Sequence, residues 1–251
     1  MEFEGRVCVI AGGASGIGAE IAGQFGARGA DVAIVDIQLE KAEAVAEQVT
    51  ADGPGSASAF ACDIRSVEQI ESAVAAIRTH YGRIDVLVNS TGLANRTPNE
   101  SITEAEWDLL NDVNLKGPFF MAQQVYRVML EQKSGKIINI ASYMAHIADG
   151  RHLIYAATKA GLQAVTRDLA VAGARHGIEV NTISPGYVLT PLTAHNLENE
   201  GWLERLQARV PLGRLIDTGE IANAVLFLAS PSTGGITGQN LLVDGGRTIQ
   251  D

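Results

Sequence analysis

Seven short apolar runs rich in β-branched residues punctuate the chain: RVCVIAG, DVAIVD, SASAFACD, IDVLVNS, KIINIAS, IEVNTISPG and NLLVDGG. Between most of them apolar positions recur every three to four residues, as in Glu40–Thr50, Val67–Tyr81 and Trp107–Gln132, which gives each segment one apolar helical face. Runs that are apolar nearly throughout belong to strands buried on both faces, and strands separated by helices pair in parallel. The pattern predicts one α/β domain over residues 1–251, a doubly wound parallel sheet of about seven strands with helices on both faces. One connection departs from the short-loop rule. Pro185 to Leu212 spans about 28 residues before a helix that begins near Thr218, a length that suggests a substrate lid over about 186–212. Within it Trp202, Leu203 and Leu206 have helical spacing and predict a short amphipathic helix; a static surface excursion is the alternative.

Composition narrows the function. With 251 residues, 46% of them hydrophobic and 19% charged, the chain can bury one large core. A formal charge of −10 and a pI near 5.0 disfavour a nucleic-acid or anionic-membrane surface, both of which reward excess lysine and arginine, and favour a small-molecule substrate. Cys8 and Cys62 lie in apolar runs without ligand-like spacing, so buried free thiols are expected and no metal site. The opening MEFEGRVCVI has no basic flank, long apolar stretch or cleavage site, and no apolar run approaches the ~20 residues of a membrane span. A cytoplasmic protein is the expectation.

Candidate chemistry sits in two places. The first apolar run leads directly into AGGASGIGAEIAGQF, which puts Gly12, Gly16 and Gly18 at a strand-to-helix junction where a backbone can approach a pyrophosphate. Glycine there also serves plain helix–strand packing. Asp36, which ends DVAIVD twenty residues after Gly16, strengthens the nucleotide reading, since a carboxylate there accepts from ribose hydroxyls. The 2′-phosphate of NADP would face that carboxylate at a cost of a few kcal/mol (about, at an effective dielectric near 20). Ser15 and Ile37 are neutral and supply no compensating cation, so the prediction is NAD(H). The second place is YAATK, the single Tyr-x-x-x-Lys of the chain, in an alanine-rich helical segment. Four residues apart on a helix, Tyr155 and Lys159 share a face, and a cation close to a phenol lowers a pKa of about 10. A surface tyrosine beside a solvated lysine is the alternative.

With those residues in hand, the chain resembles the short-chain dehydrogenase/reductase superfamily over nearly its whole length. In family order come the glycine turn, Asp63 in ACDI, NSTG at Asn89 to Gly92, Asn114 in NLKG, Ser142 in INIAS, YAATK, SPGYVLT and VDGG, with Ser142 thirteen residues before Tyr155. The resemblance implies a Rossmann-type fold in which Tyr155 is the general acid/base and Lys159 lowers its pKa and binds the nicotinamide ribose. Ser142 would hold the substrate oxygen and Asn114 would anchor a relay water, with Asn111 as a rival that lacks a glycine three residues on. Cofactor contacts would come from Gly12, Ser15, Gly16, Ile17, Gly18 and Asp36, from Asp63 and Ile64 at the adenine, from Asn89 to Gly92, and from Pro185, Gly186, Val188 and Thr190. The alternative for Asn89 and Asn114 is local hydrogen bonding in a turn or helix bulge. Two departures stand out: Ala11 where threonine is usual, and Ser90-Thr91 after Asn89.

The implied reaction transfers hydride between NAD and a secondary alcohol, here a sugar, polyol or hydroxy acid to judge from polar residues in the predicted pocket walls, Leu93–Thr97, Tyr143–Leu153 and the lid. Those walls carry Asn95, Arg96, His146, His152 and His195. A 3-oxoacyl-(acyl-carrier-protein) ketoreductase is the runner-up, and a non-catalytic dinucleotide-binding regulator the rival of another class. Resemblance also suggests a homotetramer, with the helices around Gly117–Gln132 and Leu153–Arg175 at one interface and NLLVDGG at another.

Overall fold

The computed structural model describes residues 1–190 and 201–250. Seven strands form one parallel sheet: β1 (Val7–Ala11), β2 (Asp31–Asp36), β3 (Ala57–Ala61), β4 (Val86–Asn89), β5 (Gly135–Ile140), β6 (Ile178–Pro185) and β7 (Asn240–Val243), in the order β3-β2-β1-β4-β5-β6-β7. The chain winds outward from β1 to β3, returns to β4 on the other side of β1, and winds outward again. The C-terminal ends of β1 and β4 therefore diverge into connections on opposite sides and open a crevice between them.

Alternation along the strands feeds two cores. Cys8 and Ile10 of β1, Val32 and Ile34 of β2, and Val86 and Val88 of β4 pack against α1 (Gly16–Gly26), α2 (Leu39–Asp52) and the helix Thr218–Ala229. Val9 and Ala11, Ala33 and Val35, and Leu87 point the other way, onto α3 (Val67–Tyr81) and α5 (Gly117–Gln132). Both faces of the central strands are thus covered, which is why their sequence shows apolar runs instead of apolar–polar alternation. Helix boundaries follow local chemistry. Ser66 caps α3 by accepting from the Gln69 N–H, Gly82 ends it in the left-handed region, and a capping box of Asp217 and Glu220 starts the helix at Thr218.

The segment predicted as one helix, Trp107–Gln132, is divided. α4 (Glu104–Asn111) runs into a π-helical segment, Asp112–Lys116, and then α5. The wider turn rotates Asn114 into the interior, and such π segments recur at functional sites. The predicted short helix exists as Trp202–Gln207, with Leu206 buried. Cys8 and Cys62 are buried free thiols. Of the predicted lid, residues 191–200, with His195, lie outside the described residues.

Candidate active site

A cavity of about 810 Å³ runs along the C-terminal ends of the strands at the β1/β4 crossover. At one end the wall is largely backbone. A Cβ on Gly12 would lie 2.8 Å from the Thr91 nitrogen, and one on Gly18 would lie 2.0 Å from the Gly12 carbonyl oxygen, so only glycine lets α1 sit on its own turn beside the loop after β4. Ser15, the N-cap of α1, makes no side-chain capping bond, and no acidic residue occupies the first turn, so this helix start presents amides suited to an anion. Asp36 stands at the rim. Its Oδ2 accepts from the Ala14 N–H at 3.1 Å and its Oδ1 from the Gln38 N–H at 3.0 Å. The carboxylate thereby ties the glycine turn to β2, a tether that Ala11 cannot give. Arg65 lines the same cavity but forks onto Asp63 at 2.6–3.0 Å; that hydrogen bonding from Arg65 holds the Asp63 carboxyl below its ordinary range.

At the other end the wall is side chains. Ser142 follows β5, and α6 (Leu153–Gly173) carries Tyr155 and Lys159 into the cavity. The Ser142 hydroxyl accepts from the Met144 N–H at 3.2 Å and, beside the Tyr155 phenol, acts to lower its pKa. Lys159, 3% exposed, donates to the carbonyls of Ile140 at 2.8 Å and Thr91 at 3.4 Å, with its nitrogen 5.9 Å from the Tyr155 ring centre. The two heads share one face, as the spacing predicts. The direction of the phenol's shift is a correction: desolvation raises the Tyr155 pKa above its ordinary value, and the Ser142 hydroxyl beside it opposes that rise. Burial likewise pushes the Lys159 ammonium down to about 8. In the protein's interior, desolvation outweighs the attraction expected from the sequence.

Two predicted residues do not line the cavity. Asn89 lies under its floor, donating to the Pro118 carbonyl at 3.1 Å and to Asn139 Oδ1 at 2.8 Å. Asn139 donates to Thr166, which Thr182 also reaches, so a buried polar chain joins β4, β5, β6 and α6. Asn114, fully buried, brackets Leu93, accepting from its N–H at 2.7 Å and donating to its carbonyl at 2.8 Å, and also reaches Thr158 on α6. Asn111 turns away and donates to Trp107 of its own helix. Every other nominated position, Gly12, Ser15, Gly16, Ile17, Gly18, Asp36, Asp63, Ile64, Gly92, Ser142, Tyr155, Lys159, Pro185, Gly186, Val188 and Thr190, lines the cavity. Sequence reading missed Arg65, two residues after Asp63, and Tyr187, inside the SPGYVLT stretch it had noted. Tyr187 meets Tyr143 with ring centres 5.0 Å apart, and desolvation, then the contact with Tyr187, pushes the Tyr143 phenol up. His152 lines the cavity, whereas His146 bonds to Gln163 and Asn240 away from it.

The geometry supplies a polarising hydroxyl, a proton-carrying phenol and a buried ammonium at one end of a cleft whose other end fits a dinucleotide diphosphate. The family model described as enoyl-(acyl carrier protein) reductase matches residues 12–248. The chain is similar to the D-threitol dehydrogenase of Mycolicibacterium smegmatis, 41% identical over 99% of this chain and 95% of that one. The chain belongs to the short-chain dehydrogenase/reductase superfamily. This short-chain dehydrogenase/reductase is also 39% identical to the NAD-dependent glycerol dehydrogenase of Listeria innocua, over 98% of this chain and 94% of the relative. It superposes on a gluconate 5-dehydrogenase from Burkholderia cenocepacia in complex with NADP and tartrate with a TM-score of 0.95 at 34% identity, covering 100% and 98% of the two chains. It is an oxidoreductase acting on alcohol or ketone groups. Among the described residues no helix is long and apolar enough to cross a membrane, and no His/Cys/Asp/Glu group is placed to hold a metal.

Proposed function

We propose that this short-chain dehydrogenase/reductase interconverts a secondary alcohol (a sugar, polyol or hydroxy acid) and its ketone, using NAD(H). The observation that carries this reading is the meeting of Ser142, Tyr155 and Lys159 at one end of the cavity that Asp36 and the glycine turn close at the other. Bound nicotinamide supplies the hydride acceptor or donor. Gly12 and Gly18 let the turn and α1 pack closely on the loop after β4 and on each other, and the uncapped start of α1 presents its amides to the charge of the diphosphate. Ser142 holds the substrate oxygen and stabilises the negative charge that develops there. Tyr155 takes the hydroxyl proton in oxidation and returns it in reduction. Lys159 supplies positive charge beside the phenol while it remains protonated, and Asn114 serves by holding Leu93 and Thr158, not by entering the cavity.

Asp36 supports NAD over NADP. Its carboxylate is fixed by two backbone amides, and the cavity's nearby guanidinium, Arg65, is engaged by Asp63. Mixing the protein with NAD or NADP and a panel of polyols, sugars and hydroxy acids, and following the absorbance of reduced nicotinamide, tests the whole reading. We expect faster turnover with NAD, and Asp36→Ala should lower kcat/KM with NAD more than with NADP. Equal losses, or a native preference for NADP, would sink the cofactor assignment.

The single unit 1–251, with 186–212 closing over the substrate, is part of the same proposal. It draws support from Val188, Thr190, Trp202 and Leu206, which face the cavity on both sides of the connection. A homotetramer is supported by apolar side chains left at the surface, Val171 on α6 (81% exposed), Phe227 (52%) and Leu241 on β7 (38%), and sedimentation measures it. Two unpaired thiols suit the reducing cytoplasm.

A further inference from the structure

The loop after β4 has no regular secondary structure from Ser90 to Pro98, yet two of its points are fixed beside the reacting groups. At Gly92 it passes Lys159: a Cβ there would lie 3.3 Å from the lysine nitrogen, and Asn114 grips the next residue, Leu93, by both backbone groups. At Arg96 it meets His152, whose ring lies 6.4 Å from that of Tyr155. Asn95 falls between these points and lines the same cavity, so its side chain belongs to the wall at the reacting end.

The Asn95 amide has a fixed sense. Glu106, in the first turn of α4, accepts from the Asn95 Nδ2–H at 2.8 Å and from the Thr97 hydroxyl. The bonds from Thr97 and then Asn95 hold the Glu106 carboxyl below its ordinary range, and a helix start also favours an anion, so Glu106 is a carboxylate at neutral pH. A carboxylate can only accept, which makes the amide atom bonded to it the NH2 group and the other one the carbonyl Oδ1. That oxygen is buried and has no hydrogen-bond partner. Buried polar atoms are nearly always paired, and an unpaired acceptor in a cavity wall is an unmet demand for a donor. Burial keeps solvent from meeting that demand, so the donor has to be brought to the wall by a bound molecule.

We propose that the substrate carries at least one hydroxyl beyond the reacting carbinol, which donates to Asn95 Oδ1, and that Glu106 is the positioning residue that leaves the amide oxygen, not the NH2 group, for the substrate. This rests on the hydride-transfer reading above and narrows it to polyhydroxy compounds, neutral or acidic. A methylene at that point offers no donor, and a keto, carboxylate or thioester oxygen would set acceptor against acceptor. A simple hydroxy acid and a 3-hydroxyacyl thioester, in which the carbinol is the one hydroxyl, therefore leave Oδ1 unpaired. A site built to hydrogen-bond a hydroxyl rejects the analogue that lacks it far more strongly than an apolar pocket rejects a missing methylene.

The test compares four-carbon substrates matched except for their extra hydroxyls, threitol against butan-2-ol and threonate against 3-hydroxybutyrate, with NAD or NADP, whichever supports turnover. We expect the polyhydroxy member of each pair to have at least about tenfold higher kcat/KM. Asn95→Leu, which keeps the volume but removes the acceptor, should cut that ratio about tenfold or more in both pairs, mainly by raising KM for the polyhydroxy member. Asn95→Asp sets two carboxylates side by side and should weaken the preference. Combining it with Glu106→Gln exchanges donor and acceptor while keeping an oxygen for the substrate, and should recover part of the ratio; no recovery would overturn the positioning role of Glu106. A merely structural role of the pair would lower Tm and move both members of each pair alike. Equal kcat/KM for the two members in the parent enzyme, with turnover abolished in Tyr155→Phe, would overturn the hydroxyl contact and leave hydride transfer standing. A preference unchanged in Asn95→Leu, or equal losses for both members, would also overturn it, and no turnover with any of the four would remove both readings.

Discussion

The two ends of the cavity are built on different principles. The glycine-turn end recognises its ligand with backbone: Gly12 and Gly18 matter for the atoms they lack, and Asp36 is clamped by two main-chain amides. The reacting end recognises with side chains whose ionisation the interior has moved, Tyr155 upward and Lys159 down to about 8. Backbone geometry tolerates a change of pH but not an added methyl group. The reacting end has the opposite weakness, because its function depends on where protons sit. A fold that keeps the two functions on opposite sides of one crossover can vary its chemistry while holding its cofactor.

The largest effect expected from breaking this division is at the reacting end. Tyr155→Phe removes the proton carrier and should lower turnover by about 10³-fold while leaving the unfolding midpoint and the NADH affinity near those of the parent. Turnover within a few-fold of the parent would show that the phenol is not the acid/base. Next comes the glycine end. The Cβ of Gly18→Ala would lie 2.0 Å from the Gly12 carbonyl, so the turn must shift. NADH affinity, read by fluorescence titration, should fall about tenfold or more, and stability by about 1–3 kcal/mol, as overpacking does. Unchanged affinity would mean that the diphosphate is not held there.

Lys159 sharpens the comparison through pH. Its folded pKa of about 8 lies below the unfolded value of about 10.4, so between those pH values the unfolded chain binds more protons and stability rises with pH. The stabilising contribution is fully present above the unfolded pKa and is lost as pH falls through 8. Lys159→Met lacks this dependence. Its stability relative to the parent should decline by about 2 kcal/mol from pH 7.5 to 9.5, a difference in which the shared titration of Cys8 and Cys62 cancels. Denaturant melts at the two pH values measure it, and a constant difference would mean that the ammonium is not destabilised by burial. The smallest effect belongs to the exposed fork of Arg65 on Asp63, with Arg65 46% exposed. Arg65→Ala should leave the midpoint within about 2 °C, since exposed pairs contribute little. A larger drop would make that rim a structural element and not merely a screen for the cofactor's charge.

Much of this architecture was legible beforehand. α3 spans Val67–Tyr81, where its periodicity put it, and the short helix around Trp202 follows its three apolar residues. Asp36, Ser142, Tyr155 and Lys159 line one cavity, as the helical spacing of the last two and the family resemblance of the others led one to expect. The π segment at Asp112–Lys116 was not legible, because nothing in the periodicity of Trp107–Gln132 marks the extra residue in the turn. Nor was the descent of Asn89 into the buried chain with Asn139, Thr166 and Thr182, whose partners lie up to 50 residues away for Asn89 itself. Arg96 and His152, 56 positions apart, meet only because the loop after β4 and the start of α6 reach the same edge of the crevice.

The sequence by itself determined the sheet, the two-sided core, the glycine turn and the placing of a phenol above an ammonium, all of which follow from short-range periodicity and local backbone preference. Tertiary structure alone decided the direction in which the Tyr155 phenol is pushed, the depth of Lys159, and which polar side chains face the cavity and which hold up its floor. The reason is that desolvation and long-range hydrogen bonding depend on what surrounds a group, and in this protein those surroundings are assembled from segments distant in the chain.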